Sequence, residues 1–268
     1  MPIFDSHTHL DDPAFDEDRD QVFARARAAG ARAFMIVGIT PESCPRAVAL
    51  AESRDDCLAS VGVHPHDAKS CTEAHLAALA ALAARPRVAA WGETGLDFNR
   101  MHSPALVQET WFARQLETAA GLSLPVILHE RDSGGRFLDI LRHHAGSGGV
   151  RGVVHCFSGT REELFAYLDL GLSVGITGIL THKERGRDLR DLLPSIPLDR
   201  MLLETDCPYL TPSPERNRHR RNEPAFLASV AAVAAGLLDL TPDRVAQTAW
   251  DNTRRLFGAP EGLETEPP

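Results

Sequence analysis

The 268-residue chain reads as an α/β protein, a single-domain (β/α)8 barrel of the TIM-barrel type with extra helices at its C-terminal end. Two observations predict this. Short apolar runs alternate with longer amphipathic stretches eight times over, with no Pro/Gly/Ser-rich linker between them, and the residues best suited to chemistry gather at the carboxyl ends of the apolar runs. Strand followed by helix gives a parallel sheet, and eight such units is the number that closes a barrel.

The elements follow from the N-terminus. Ile3 to His7 is the first strand, and Asp16 to Ala29, with apolar residues at three-to-four spacing, is the first helix. Ala33 to Ile39 and Leu58 to His64 are the next two strands, followed by a helix over Glu73 to Ala84 and a strand over Val88 to Glu93. Ala105 to Ala120 is helical before the strand Pro125 to His129, and Phe137 to His143 is helical before Gly152 to His155. The last units pair helix Arg161 to Leu170 with strand Leu172 to Ile176, and helix Arg185 to Leu193 with strand Met201 to Glu204. Two further helices, Pro224 to Leu238 and Pro242 to Phe257, complete a domain spanning 1–258. The acidic, proline-ending tail 259–268 is expected to be disordered.

Composition narrows the class. At 43% hydrophobic and 24% charged the chain is ordinary for a globular protein, and no apolar run approaches the roughly 20 residues of a membrane span. The opening Met-Pro-Ile-Phe-Asp lacks the basic flank and apolar stretch of a signal peptide, so a cytoplasmic protein without a membrane partner is expected. Five scattered cysteines, an odd number without a Cys-x-x-Cys, read as reduced thiols, and Cys156 and Cys207 are expected to be inert although they neighbour candidate site residues. The formal net charge of −9 repels a polyanion at long range, so nucleic-acid binding would require a local basic surface.

The polar residues carry the functional argument. His7 and His9 lie two apart at the end of the first strand and so share a face beside Asp5. His64-Pro65-His66 ends the third strand, Glu93 with Asp97 the fourth, His129 the fifth, His155 the sixth, and Glu204 with Asp206 the eighth. Singly, His129 or His155 reads as a hydrogen-bonded histidine, and Glu93 or Asp206 as a helix cap. Jointly, four histidines and two carboxylates at one end of a barrel would be a poor core, because buried polar groups need partners, and a metal site supplies them. Imidazole with carboxylate and no thiolate suits zinc, manganese, iron or magnesium. The number of candidate ligands exceeds what one catalytic zinc needs, which points to two metals and a hydrolase.

The stretches F-D-S-H-T-H-L, G-V-H-P-H-D (62–67), G-E-T-G-L-D-F-N-R (92–100), L-P-V-I-L-H (124–129), H-C-F-S-G-T-R-E-E (155–163) and E-T-D-C-P-Y-L (204–210) form an ordered set, joined by R-R-N-E-P (220–224) and the closing N-T-R-R-L-F-G. On these motifs the chain resembles the TatD family of metal-dependent deoxyribonucleases over nearly all of its length. The resemblance implies that His7, His9, Glu93 and Asp206 hold one metal and Glu93, His129 and His155 the other, with Glu93 bridging. It implies magnesium or manganese, with zinc as an alternative, and a 3′-5′ exonuclease acting on DNA, with single-stranded ends as the expected substrate. RNA or tRNA are further candidate partners, and a D-aminoacyl-tRNA deacylase, a small-molecule amidohydrolase or a non-catalytic scaffold on the same barrel are the alternatives. One departure is Glu130 after His129, where family members often carry cysteine; alternation should point it away from the metals.

The expected mechanism has a water attack phosphorus in line while Asp206 accepts or relays its proton, with Glu93 and His64 as the other catalytic candidates. His64 and His66 are expected to donate hydrogen bonds to the substrate. Thr160 to Glu163 reads as a capping box, so free N–H groups of that helix would favour a phosphate near Thr160 and Arg161. Arg131, and Arg221 at the end of the basic run from Arg216, complete the candidate phosphate contacts. Phe98, Phe157 and Tyr209 are candidates to stack an unpaired base, or else to wedge their loops. A monomer is expected.

Overall fold

The computed structural model describes residues 2–146, 149–260 and 263. Its eight strands are β1 (Ile3–Thr8), β2 (Ala31–Val37), β3 (Cys57–Val61), β4 (Val88–Asp97), β5 (Val126–Arg131), β6 (Gly152–Val154), β7 (Ser173–Ile176) and β8 (Met201–Leu203). They pair in chain order, each parallel to the next. An isolated parallel bridge between Thr8 and Cys207 joins the two ends of the sheet. Every residue of β1, β3, β6, β7 and β8 is buried, which is why β3, β6 and β8 read as mostly apolar runs and not as alternating ones, while the buried polar residues of β1 belong to the site end of the barrel.

The surrounding helices are α1 (Arg19–Ala28), α2 (Cys44–Glu52), α3 (Glu73–Leu82), α4 (Ala105–Gly121), α5 (Arg136–His144), α6 (Arg161–Asp169), α7 (Arg187–Leu192) and the short α8 (Ser213–Arg216), followed by α9 (Leu227–Leu238) and α10 (Pro242–Phe257). No single helix among the described residues is long and apolar enough to cross a membrane. The α2 helix is not singled out by the sequence: it is short, alanine-rich and opens on Ser43 with no side-chain cap. The stretch from Pro224 divides into a 3-10 turn, Pro224–Phe226, and α9. Most of the expected disordered tail, positions 261, 262 and 264–268, lies outside the described residues.

Two apolar layers hold the barrel. Phe4, Met35, Leu58, Ile127, Val153 and Leu202 form an inner cluster with Trp250 and Phe257 of α10. The Phe4 and Trp250 rings lie 5.9 Å apart, so the last helix closes the amino-terminal mouth. A larger cluster packs the helices onto the outer face. One further step of two-residue alternation from Ile127, Val153 and Leu202 reaches His129, His155 and Glu204. The inner face thus changes from apolar to polar toward the carboxyl ends, and Glu130 falls on the opposite face.

Two glycines allow β4 and β5 to meet there. Gly92 and Gly95 have φ of +139° and +151°, and a Cβ on Gly95 would overlap the His129 carbonyl. Glycine at both positions brings Glu93 beside His129. Strands β2 and β3 stop at Val37 and Val61, short of the expected Ile39 and His64, because the chain turns into loops joined by the His64 N–H to Ile39 carbonyl bond at 2.9 Å.

Candidate metal centre

The carboxyl ends of the strands surround a bowl of about 500 Å³, lined by His9, His64, Glu93, His129, His155 and Asp206 among others. Glu93, nearly fully buried, stands at its centre and divides its oxygens. Oε2 lies 3.3 Å from His7 Nε2 and 4.0 Å from His9 Nε2. Oε1 lies 2.8 Å from His129 Nδ1 and 3.3 Å from His155 Nε2. Asp206 Oδ1 faces the first pair, 3.3 Å from His9 and 3.7 Å from His7. His7, His9 and Asp206 have ligand atoms close enough to share one ion, and so do His64, Glu93 and His129.

For His9 and His155 a hydrogen bond on the far side of the ring fixes which nitrogen is free. His9 Nδ1 donates to the Val37 carbonyl at 3.0 Å, and His155 Nδ1 donates to Glu204 Oε1 at 3.0 Å, so each ring, when neutral, presents the lone pair of Nε2 to the bowl. His129 is turned the other way, with Nε2 3.4 Å from Asp97 Oδ2 and Nδ1 toward Glu93. His64 differs in kind: its Nδ1 accepts the His66 N–H at 3.1 Å, so the neutral ring carries its proton on Nε2, which points at Glu93 Oε1 3.5 Å away. It is a donor where the others offer lone pairs. Two rings with a fixed free nitrogen and a third turned toward Asp97, grouped around an anionic carboxylate, fit a divalent cation.

Burial opposes every charge in this cluster, and local pairing decides which charges survive. For His64, burial, joined by the charges of His129 and His66, outweighs the pull of Glu93 and pushes it down to about 4, so it stays neutral. For His9, Asp206 more than offsets burial and raises it to about 9; Asp97 and Glu93 do the same for His129, also to about 9. The histidines around it hold Glu93 well below the usual carboxylate range despite its burial. Protons on His9 and His129 therefore supply the positive charge that a cation would replace. Burial also raises the Cys156 and Cys207 thiols well above their ordinary value, in keeping with inert thiols.

Glu204 and Asp97 are the residues whose roles the sequence reasoning missed, although both stand at strand ends. Glu204 is fully buried and accepts from His155 Nδ1, from the Cys156 N–H at 2.6 Å and from the Ser6 hydroxyl at 3.3 Å. A carboxylate two residues before Asp206, in phase with Leu202, was the available signal. Asp97 holds His66 Nε2 at 2.7 Å as well as His129.

The candidate substrate contacts divide. His66, Arg131, Arg100 and Arg185 line the bowl, and Tyr209, 54% exposed, sets its ring 6.2 Å from that of His9. Thr160 and Arg161 do not line the bowl: they line a neighbouring groove that shares Arg131 and Arg185 with it, and the Thr160 hydroxyl is taken up in the capping box with Glu163. Arg221 is likewise outside the bowl. Its guanidinium clamps both oxygens of Asp18 at 2.8 and 2.7 Å, since a carboxylate in reach satisfies the fork first. Phe157 is buried against Tyr167 and Phe98 packs on the outer core, so both wedge their loops. Glu130 is bonded to Ser133 on the groove side, away from the centre.

A family model described as TatD related DNase matches residues 4–258. A protein named 3'-5' ssDNA/RNA exonuclease TatD from Rahnella sp. (strain Y9602) is 46% identical over 258 residues, covering 95% of this chain and 98% of that protein. One of the same name from Klebsiella pneumoniae (strain 342) is 44% identical, covering 96% and 98%. Among solved structures, a TatD homologue from Escherichia coli K12 superposes with a TM-score of 0.88 at 32% identity, covering 96% of this chain and 98% of that one.

Proposed function

Since the chain belongs to the TatD-related DNase family, we propose that it is a divalent-metal-dependent exonuclease that hydrolyses DNA phosphodiester bonds from the 3′ end and prefers single-stranded ends. The observation that carries the reading is the division of Glu93, one oxygen toward His7 and His9 and the other toward His129 and His155. That is the arrangement a bridging carboxylate needs. His7, His9, Glu93 and Asp206 would hold one ion, and Glu93, His129 and His155 the other; magnesium or manganese is proposed from the family, and the thiolate-free set of four imidazoles and two carboxylates suits manganese or zinc. When bound, such a pair supplies Lewis-acid polarisation of the phosphodiester and offsets the charge that develops on it.

The chain's own groups do the rest. Asp206 Oδ1, at the edge of the His7/His9 group, is placed to take the proton of an attacking water. His64 Nε2–H, neutral and aimed at Glu93, donates to a phosphoryl oxygen. His66, held by Asp97, and Arg131 reach the same oxygens from the rim. Tyr209 offers an exposed face to a terminal base, which favours an unpaired end. The names of the relatives extend the proposal to RNA, and a cytoplasmic monomer is part of it.

The test is digestion of single-stranded DNA labelled at the 5′ or the 3′ end, with magnesium, manganese, zinc or chelator, beside Glu93→Ala. Metal-dependent, stepwise shortening from the 3′ end that is lost in Glu93→Ala is expected. DNA left intact under every metal by a protein that still binds metal would overturn the reading and move it to ester hydrolysis on tRNA.

A further inference from the structure

At the end of the barrel opposite the bowl, a second cavity of about 420 Å³ opens beside the first residues of β6, β7 and β8. Its wall carries three guanidinium groups from three elements: Arg151 before β6, Arg200 before β8, and Arg255 on α10. Asp199 is the single carboxylate on the wall. No carboxylate pairs with any of the three arginines among the described residues. Arg200 Nη1 donates to the Gly171 carbonyl at 2.5 Å, Arg151 Nη2 to the Ser123 carbonyl at 3.1 Å, and Arg255 Nη1 to the Asp199 carbonyl at 3.3 Å and Asn252 Oδ1 at 3.1 Å.

A guanidinium has five N–H donors in a planar fork, and carbonyl bonds to one nitrogen hold each group in place while leaving other donors unmatched. Many arginines elsewhere on this surface meet carboxylates, as Arg25 meets Glu223 and Asp18, or Arg136 meets Glu109. Buried Ser173 adds a hydroxyl to the wall, Asn252, whose amide is spent on the Leu198 and Met201 carbonyls, holds Arg255 through its Oδ1, and Gly171, without a side chain, leaves the wall open. Positioned guanidiniums without counter-ions, beside a neutral hydroxyl in a concave site, match the tetrahedral oxygens of a phosphate.

We infer that Arg151, Arg200 and Arg255 form an anion site for a phosphate group at the amino-terminal mouth of the barrel, separate from the metal-binding bowl. The ligand is free phosphate or the phosphate of a mononucleotide, and the inference stands whether or not the proposed nuclease activity does. The site lies where β6, β7, β8 and α10 meet, so an occupant ties the last helix to the strand ends.

Calorimetric titration of the full-length protein with inorganic phosphate, and separately with AMP, tests this in wild type, in the double variant Arg151→Gln/Arg255→Gln, and in Arg131→Gln as a control on the bowl. Wild type and Arg131→Gln should both show the binding event, and the double variant should bind tenfold or more weakly while keeping wild-type melting and DNA digestion. AMP binding tenfold tighter than phosphate would identify a mononucleotide ligand, and equal affinity free phosphate. Loss of the event in Arg131→Gln, or its survival in the double variant, overturns the site. If the double variant fails to fold, wild-type crystals soaked in tungstate decide: density within hydrogen-bond reach of Arg151 and Arg255 supports the site, and none there refutes it.

Discussion

Gly175 on β7 is a test of how the metal centre is held, although it contributes no side chain to it. A Cβ built at this position stands 2.5 Å from both Cδ and Oε1 of Glu204, where ordinary contact begins at 3.4 Å. In Gly175→Ala the carboxylate has to retreat by roughly 1 Å, a displacement on the scale at which packed interiors no longer adjust freely. The bond that suffers is the 3.0 Å contact to His155 Nδ1, and with it the tautomer that leaves His155 Nε2 free. Loss of such an orienting partner typically costs 10–100-fold in metal affinity, or about 1.4–2.7 kcal/mol. Calorimetric titration of metal-stripped protein with manganese should show this loss, with far-UV circular dichroism unchanged. Glu204→Gln should weaken binding comparably, and the double variant should be little worse than the poorer single one, because both changes remove the same support. Wild-type affinity in Gly175→Ala, or full additivity in the double variant, would refute the reasoning.

Three further outcomes are expected. Because His9 and His129 are held up to about 9 in the folded protein without metal, both are protonated at neutral pH and have to release protons on binding a cation; apparent metal affinity should therefore rise from pH 6.5 to 8.5 and stop rising above about 9. Titrations in two buffers of different ionisation enthalpy count the protons released, and pH-independent affinity over that range would contradict the assignment. His64→Ala removes a neutral donor and no ligand, so it should keep the metal stoichiometry and slow DNA hydrolysis by about 10²–10³-fold; loss of a metal instead would make His64 a ligand. Gly95→Ala drives a Cβ to 2.8 Å from the His129 carbonyl carbon, at a φ of +151°, and should lower the melting temperature by several degrees or prevent folding; a melt superimposable on wild type would show that β4 and β5 tolerate more separation than their pairing suggests.

The legible part of the molecule was the part written in period and position. Ile127, Val153 and Leu202 announce buried strands, and the polar residue two places on falls on the inner face, so His129 and His155 could be placed from sequence. Parallel pairing then brings together residues as distant as His7 and Asp206. What escaped were relations across strands. Nothing in the order of residues says that Glu204 turns His155 or that Asp97 turns His129, because each depends on a contact between different strand ends, and the His66 N–H assigns the proton of His64 only through the turn that the His-Pro-His corner adopts. Arg221 escaped for the opposite reason: its motif suggested a phosphate contact, whereas Asp18, 203 positions away in sequence, was near enough in space to claim it.

The barrel also has a seam. Where neighbouring strands elsewhere are joined by ladders, β1 meets the segment just after β8 in an isolated bridge at Thr8 and Cys207, reinforced by His9 N–H to the Cys207 carbonyl and Asp206 N–H to the His7 carbonyl, each at 2.9 Å. These stitches run through the same residues that offer His7, His9 and Asp206 to an ion. A cation held there is a clasp on a cylinder: it fastens the first turn of the wall to the last, and the act of loading the centre is at once an act of sealing the shell. Stripping the ion should open the molecule along this line first, so that the amides of His9 and Asp206 exchange with solvent well before those of β4 and β5 on the far side of the wall.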